Sequence, residues 1–268
     1  MKIKQVLEAL ERFAPLPLQE SWDNAGLQVG LTEAEVSGAL LCLDVTEHII
    51  DEAVRRGCNL VVSHHPLLFR GLKQVADLND VQRTVRRAIK QDIAVISMHT
   101  NLDSARGGVN FKIAERLGLQ NVHFGLEPWP FTASEDQRAL PAGQWVMGEL
   151  KEPMPSRDFV LYVKRQLEAD SAMCNELLRR PVRRVAICGG AGDFVLDEAV
   201  RSGADAFITG EMHYHQYFGH EQQLQICVVG HYESEHFTTE LLRDIIAREC
   251  PGVRTEIAET NTNPILYL

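Results

Sequence analysis

Apolar residues at the start of the chain recur every three or four positions, at Ile3, Val6, Leu7, Leu10 and Phe13. This spacing predicts an amphipathic helix over 3–13. After a polar stretch, apolar runs of strand length alternate with helical patterns. These predicted elements cover, in chain order, 36–43, 46–56, 59–63, 80–91 and 93–98. Such alternation is typical of βαβ units and a mostly parallel sheet.

The second half of the chain repeats the pattern of the first. The segment DEAVRRG at 51–57 reappears as DEAVRSG at 197–203, an offset of 146 residues. Two further pairs of segments share this offset: 36–43 with 182–189, and 58–65 with 204–211. Because strand, helix, terminating glycine and strand all keep one offset, an internal duplication is favoured over a chance match.

The chain length is compatible with two domains, since it has 268 residues and a domain takes about 150. We expect an α/β protein of two related three-layer lobes with mostly parallel sheets. Five prolines within 126–157 mark the connection. The first lobe is predicted over 1–125, completed by the C-terminal segment 236–268, and the second over 126–235.

Composition is typical of a soluble globular protein, with 45% hydrophobic and 24% charged residues. The 37 acidic residues outnumber the 27 basic ones, giving a net charge of −10, which argues against a dedicated duplex-DNA binder. No apolar run approaches the roughly 18 residues that cross a bilayer. Glu8 and Glu11 interrupt the stretch that a signal peptide needs. The six cysteines form no CxxC pair and most lie inside apolar runs, which indicates reduced, buried thiols. We expect a cytoplasmic protein.

Residues with metal-binding side chains follow the predicted strands at the point where each strand ends. His64 and His65 directly follow one strand, Asp103 lies a few residues after the next, and His231 and Glu235 follow a strand at 226–229. Because ligands of open α/β sheets collect at the carboxyl ends of the strands, these side chains are expected to meet. His231 and Glu235 are four residues apart and would share one face of a helix.

Three imidazoles and two carboxylates without a thiolate suit Zn²⁺, Fe²⁺ or Mn²⁺. Five protein ligands are too many for one catalytic ion with an open position, and they are a reasonable number for two ions. The alternative is that histidines at strand ends are ordinary polar residues. Three strand ends that each carry suitable atoms favour a dinuclear metal site, in the cleft between the two lobes.

Five segments, in this order along the chain, resemble one known family: SWDNAGLQVG, SHHPLLFRGLK, MHTNLDSARGGVN, DAFITGEMHYH and GHYESEHF. The chain is similar to the Nif-three-like family, whose members are often labelled GTP cyclohydrolase I type 2 homologues. The resemblance implies two divalent metal ions per chain and a toroidal homohexamer built as a trimer of dimers. It implies the same five ligands that follow the strands, with Glu235 in contact with both ions: His64, His65, Asp103, His231 and Glu235.

Two further residues are candidates for proton transfer or for support of the ligands. Glu211 takes the position equivalent to His65 in the repeat, and His99 lies close in sequence to Asp103. Purely structural roles compete with both interpretations. The segment Trp22-Asp23-Asn24 is expected to form a loop that shapes the cleft or an interface.

The resemblance implies a metal-dependent hydrolase that converts GTP to dihydroneopterin triphosphate and formate, with metal-bound hydroxide attacking C8 of the purine. A phosphoester or another amidine-like C–N bond would suit the same metals. The alternative function is a non-enzymatic, metal-binding hexameric scaffold or a metal-handling protein. The expected partners are other copies of the chain and a small molecule such as a purine nucleotide, rather than a membrane or a nucleic acid.

Overall fold

The computed structural model describes residues 1–126, 129–131 and 140–268. In chain order its α-helices are α1 (Ile3–Phe13), α2 (Glu47–Arg55), α3 (Asp80–Lys90), α4 (Thr100–Ser104), α5 (Val109–Arg116), α6 (Ser156–Gln166), α7 (Leu196–Arg201), α8 (His231–Glu235) and α9 (Thr238–Glu249). Its strands are β1 (Gly26–Val29), β2 (Ala39–Cys42), β3 (Leu60–Ser63), β4 (Ala94–Ser97), β5 (Gln120–Phe124), β6 (Trp129–Phe131), β7 (Leu140–Ala142), β8 (Val146–Met154), β9 (Met173–Cys174), β10 (Val182–Cys188), β11 (Ala206–Thr209), β12 (Gln225–Val228) and β13 (Thr255–Ile257). Among these described residues, no helix combines the length and the apolar character that crossing a bilayer requires.

The first of two compact units comprises Met1–Ala105 and Thr238–Pro264. Its sheet has the strand order β1-β4-β3-β2-β13, in which β1 is antiparallel to β4 and the other neighbours are parallel. β2, β3 and β4 each bury all four of their residues. Strands covered on both faces carry continuous apolar runs rather than alternating ones, which is why the sequence shows such runs here.

Local signals fix the helix ends in this unit. The Thr46 hydroxyl accepts a hydrogen bond from the backbone N–H of Ile49 at 3.3 Å and caps α2. Gly57, which follows that helix, adopts a positive φ of 65°, a conformation that glycine takes without steric cost. The Asn79 side chain caps α3 by accepting from Gln82 N–H at 2.9 Å. The predicted helix at 3–13 matches α1 at both ends.

The second unit comprises Arg106–Phe237 and Ile265–Leu268, with the strand order β5-β8-β10-β11-β12-β9. β10, β11 and β12 are parallel, whereas β5, β8 and β9 join the sheet through antiparallel pairs. The prediction of a mostly parallel sheet is therefore wrong for this unit. Antiparallel strands do not need the helical crossovers on which that prediction rested.

The boundary between the units lies at Ala105/Arg106, whereas the sequence analysis placed it at 125/126. The difference arises because β5 pairs with β8, which makes the chain from α5 onward part of the second unit. At the other end β13 pairs with β2 in the first unit, but Ile265–Leu268 belongs to the second. Of the predicted connection at 126–157, residues 127–128 and 132–139 lie outside the described residues.

The two units share a strand register at the offset seen in the sequence. β2 pairs with β3 from Ala39↔Leu60 to Cys42↔Ser63, and β10 pairs with β11 from Val185↔Ala206 to Cys188↔Thr209. Adding 146 to the residue numbers of these two pairs of the first unit gives the two pairs of the second unit. The glycine that ends the intervening helix also recurs with positive φ, 65° at Gly57 and 71° at Gly203.

The six cysteines are free thiols, of which Cys174 is exposed and the other five are buried. Burial raises the pKa of Cys227 and Cys42 well above the ordinary thiol value. The expectation of buried thiols thus holds for all of them except Cys174.

Candidate metal centre

Three histidines of the first unit form what we call the three-histidine cluster: His64, His65 and His99. β3 ends at Ser63 and its parallel neighbour β4 ends at Ser97, so the residues that follow both strands emerge at the same sheet edge. One ring nitrogen of each histidine lies within 4.8 Å of the others. At this spacing imidazole nitrogens can ligate a common metal ion.

Each histidine of the cluster is oriented by an oxygen that faces its Nδ1 atom. These oxygens are Met98 O, 2.8 Å from His64; Asp44 Oδ1, 2.7 Å from His65; and Asp23 Oδ1, 2.7 Å from His99. Carbonyl and carboxylate oxygens only accept hydrogen bonds, so each Nδ1 carries the proton. Each Nε2 therefore keeps the lone pair that a metal ion or a proton can take.

Asp44 and Asp23 hold their histidines as ionised carboxylates. Burial opposes the ionisation of Asp44, but the hydrogen bonds from His65 and Thr262 and the electrostatic attraction of the two nearby histidines together outweigh it and lower the pKa of Asp44. Burial is likewise outweighed at Asp23, where hydrogen bonds from His99 and Thr100 lower the pKa to about 2. Negative charge at both positions favours a protonated Nδ1 on the facing imidazole.

Asp103, the third predicted ligand of the first unit, lies on the short helix α4 that follows His99. Its Oδ1 atom is 3.7 Å from Nε2 of His64. The backbone N–H of Asp103 donates to His99 O at 3.1 Å, which fixes the first turn of α4. The structure thus brings Asp103 to the Nε2 side of the His64 ring.

In the second unit, His231 and Glu235 lie one turn apart on α8. His231 Nε2 is 3.0 Å from Glu235 Oε2, and the Glu235 side chain is buried. His231 Nδ1 is 2.7 Å from Glu211 Oε1. His231 therefore has the same arrangement as His65 and His99, with a carboxylate that accepts from Nδ1.

Two glycines allow α8 to lie against the segments that follow β10 and β11. A Cβ atom on Gly190 would lie 2.2 Å from Glu235 Oε1, and the residue has a positive φ of 58°. A Cβ atom on Gly210 would lie 2.7 Å from Ser234 Oγ and 2.8 Å from His231 Cα. Larger residues at either position would displace the two predicted ligands of this helix.

Sequence analysis missed two residues of this arrangement. Asp44 lies two positions beyond the end of β2, so the strand-end rule that selected the histidines would have found it. Asp23 was interpreted only as part of a shaping loop, and no local signal links it to His99, which is 76 residues away. Glu211 was predicted from its repeat position, and the structure shows its contact with His231.

Comparison with known proteins identifies the family. A family model described as Duf34/NIF3 (NGG1p interacting factor 3) matches residues 1–264. The chain belongs to the Duf34/NIF3 family. The resemblance that the sequence motifs indicated is confirmed.

Relatives match this Duf34/NIF3 chain over most or all of their own length. A Clostridium perfringens protein named GTP cyclohydrolase 1 type 2 homolog is 33% identical over 88% of this chain and 87% of its own. A Campylobacter jejuni protein of the same name is 29% identical over the whole of both chains. The crystal structure of a Staphylococcus aureus hypothetical protein matches with a TM-score of 0.90 and 28% identity, covering 100% of this chain and 99% of that one. A Bacillus cereus protein related to NIF3, at 24% identity and a TM-score of 0.87, shares the fold.

The five predicted metal ligands of the Duf34/NIF3 chain divide between its two units. His64, His65 and Asp103 lie in the first unit, and His231 and Glu235 lie in the second. Within each unit the predicted ligands are neighbours, and a carboxylate from another part of the same unit orients one of the histidines.

Proposed function

We propose that this Duf34/NIF3 protein is a hydrolase that depends on two divalent metal ions. The ions would be held by five ligands drawn from both units: His64, His65, Asp103, His231 and Glu235. The observation that carries the proposal is the acceptor at Nδ1 of each histidine of the set. In metal sites the ligating histidine regularly donates its other ring N–H to a carboxylate or a backbone carbonyl, which fixes the tautomer and raises the basicity of the ligating nitrogen.

The donor set fits such ions. Imidazole nitrogens and carboxylate oxygens without a thiolate suit Zn²⁺, Fe²⁺ or Mn²⁺. His64, His65 and His231 each have an acceptor 2.7 or 2.8 Å from Nδ1, which favours the tautomer in which Nε2 would be the ligating nitrogen. When bound, the ions would lower the pKa of coordinated water towards about 7 and so supply a nucleophile at neutral pH.

His99 is the residue that we assign to proton transfer. Asp23 accepts from its Nδ1, so the lone pair of Nε2 can take a proton from the attacking water. The negative charge of Asp23 then stabilises the imidazolium that forms, as a buried carboxylate does for a catalytic histidine. Glu211 acts on His231 by orienting the ring, since its Oε1 atom lies 2.7 Å from Nδ1.

The proposed substrate is GTP, in line with the name of the Clostridium and Campylobacter relatives. Hydrolytic opening of the purine ring at C8 would release that carbon as formate. Closure of the remaining atoms into the pterin ring expels water, so that one net water is consumed in forming dihydroneopterin triphosphate. We further propose that the two units arose by duplication, supported by their common strand register, and that the chain assembles as a homohexamer.

The test combines metal content with turnover. The purified protein is analysed for metal per chain by mass spectrometry and assayed for formate release from GTP with Mn²⁺, Fe²⁺ or Zn²⁺. We expect His65→Ala and Glu235→Ala to lose metal and activity together. His213→Ala is the control, because this exposed histidine pairs with Asp193 instead.

Three outcomes discriminate between the proposals. Full metal content in both variants would contradict the ligand assignment. Metal-loaded protein that releases no formate would exclude the cyclohydrolase reaction and, if metal removal alters assembly, would favour a scaffold. Light scattering decides whether the mass in solution is that of six chains.

A further inference from the structure

Two exposed aromatic side chains flank the three-histidine cluster. Trp22 is 57% exposed and Phe69 is 46% exposed. The two ring centroids are 5.7 Å apart. The Trp22 centroid lies 6.2 Å and the Phe69 centroid 6.3 Å from the centroid of the His99 ring. Exposed aromatic surface next to candidate catalytic groups is a common feature of ligand sites.

Hydrogen bonds hold the two segments that carry these rings together. Asn24 Nδ2 donates to Leu68 O at 2.7 Å, and the backbone N–H of Leu68 donates to Gln28 Oε1 at 3.1 Å. Asp23 accepts hydrogen bonds from His99 and from the backbone N–H of Thr100, the latter at 3.1 Å. Trp22 directly precedes Asp23, and Phe69 directly follows Leu68. These hydrogen bonds therefore fix the backbone next to each aromatic residue before any ligand binds.

Two basic residues follow Phe69 in the same loop. Arg70 and Lys73 are both exposed, and within the part of the chain that the structure describes neither forms an ion pair with a carboxylate. In a chain with a net charge of −10, two unpaired cations that closely follow Phe69 in sequence are suited to an anionic ligand that also carries a ring.

We infer that Trp22 and Phe69 form an aromatic site beside His99, in which a planar, purine-like ring of the substrate stacks on one of the two rings and contacts the other, since the rings are inclined at 59° to each other. Arg70 and Lys73 bind the anionic phosphate groups of the same molecule. This inference rests on the proposed function, and it assigns to the SWDN segment a role in substrate selection. Stacking on an aromatic side chain contributes enough free energy to dominate the recognition of a nucleobase.

The test measures binding to the protein as purified with its metal, using three probes. Guanosine has the ring without phosphate, GTP has both, and inorganic tripolyphosphate has phosphate alone. We expect Trp22→Ala to weaken guanosine and GTP binding about 5- to 100-fold in calorimetric titrations, and Phe69→Ala to weaken both as well. Trp22→Phe should restore most of the affinity, whereas Phe194→Ala, which removes an exposed aromatic residue of the second unit, should change nothing.

Charge variants separate the two parts of the ligand. Arg70→Gln combined with Lys73→Gln should weaken GTP and tripolyphosphate binding and leave guanosine binding intact. Trp22→Ala should leave tripolyphosphate binding intact. Metal content and formate release are measured on the same samples, so that failure of the hydrolase proposal is scored separately from ring binding.

The inference is overturned if wild-type protein binds neither guanosine nor GTP at millimolar concentration, or if Trp22→Ala leaves both affinities unchanged. It is also overturned if Trp22→Ala lowers the mass in solution, because the rings would then be covered by a second copy of the chain.

Discussion

Asp44 Oδ1 accepts a hydrogen bond from His65 Nδ1 over 2.7 Å, while the other oxygen of the same carboxylate accepts from the Thr262 hydroxyl over 2.8 Å. Thr262, in the C-terminal segment of the first unit, thus orients the Asp44 carboxylate, which in turn orients the His65 ring. Two hydrogen bonds on opposite oxygens leave Asp44 little rotational freedom. The orientation of His65 therefore depends on residues nearly two hundred positions away in the chain.

We predict that Asp44→Ala lowers metal affinity about 10- to 100-fold, the usual effect of removing a carboxylate that supports a ligating histidine. Asp44→Asn keeps an accepting oxygen without the charge, and its metal affinity should fall between those of Asp44→Ala and the wild type. Competition with a chromogenic chelator measures the affinity. Asp51→Ala is the control, since this carboxylate pairs with Arg87 on the surface of the same unit. Equal affinity in Asp44→Ala and wild type would contradict the support role.

Gly190→Ala is predicted to release metal by displacing Glu235. Its added Cβ would lie 2.2 Å from Glu235 Oε1, and the positive φ of 58° adds backbone strain, worth about 1–3 kcal/mol. Gly219→Ala isolates the strain, because Gly219 also has a positive φ, of 83°, but nothing lies within 4 Å of its added Cβ. Both variants should unfold at lower denaturant concentration, and Gly190→Ala alone should lose metal. Retained metal in Gly190→Ala would show that Glu235 can move without consequence.

Glu52 makes the stability of the first unit depend on pH. This buried carboxylate accepts from the backbone N–H groups of Glu259 and Thr260 at 2.8 and 3.0 Å, and pairs with Arg56. Burial opposes its ionisation, but the hydrogen bond from the Thr260 side chain and the other contacts outweigh it and lower the pKa from the ordinary 4.5. A lowered folded-state pKa gives stability that is complete above the unfolded value and is lost as the pH falls through the folded value.

Glu52→Gln should accordingly lower the free energy of unfolding by about 1–3 kcal/mol at pH 7. This difference from the wild type should shrink below pH 4.5. Urea unfolding at several pH values measures this. Glu33→Gln provides the comparison, because Glu33 also forms ion pairs, with Lys2 and Lys4, but is solvent-exposed, and exposed ion pairs contribute little. If the loss of unfolding free energy in Glu52→Gln does not change with pH, the effect is due to packing rather than to the charge.

Sequence patterns predicted the elements that depend on local chemistry. The helix over Ile3–Phe13 and the three buried strands of the first unit follow from spacing, capping residues and apolar runs. The antiparallel pairing of β5, β8 and β9 was not predicted, because it depends on partners distant in the chain. At the site, strand ends selected His64 and His65, but the contact between His99 and Asp23 spans 76 residues and has no periodic signature.

His99 tests whether the three-histidine cluster contains a proton-transfer group besides its ligands. One of its ring nitrogens is close enough to the other two histidines to serve as a ligand, so metal content and turnover must be separated. We predict that His99→Ala keeps the metal stoichiometry of the wild type and lowers kcat about 10²- to 10⁴-fold, the usual contribution of general acid–base catalysis. His64→Ala, in contrast, should lose metal. Asp23→Asn should also lower kcat with metal retained, because it removes the charge that stabilises the imidazolium. Loss of metal in His99→Ala would make His99 a ligand and move the proton-transfer role to another residue.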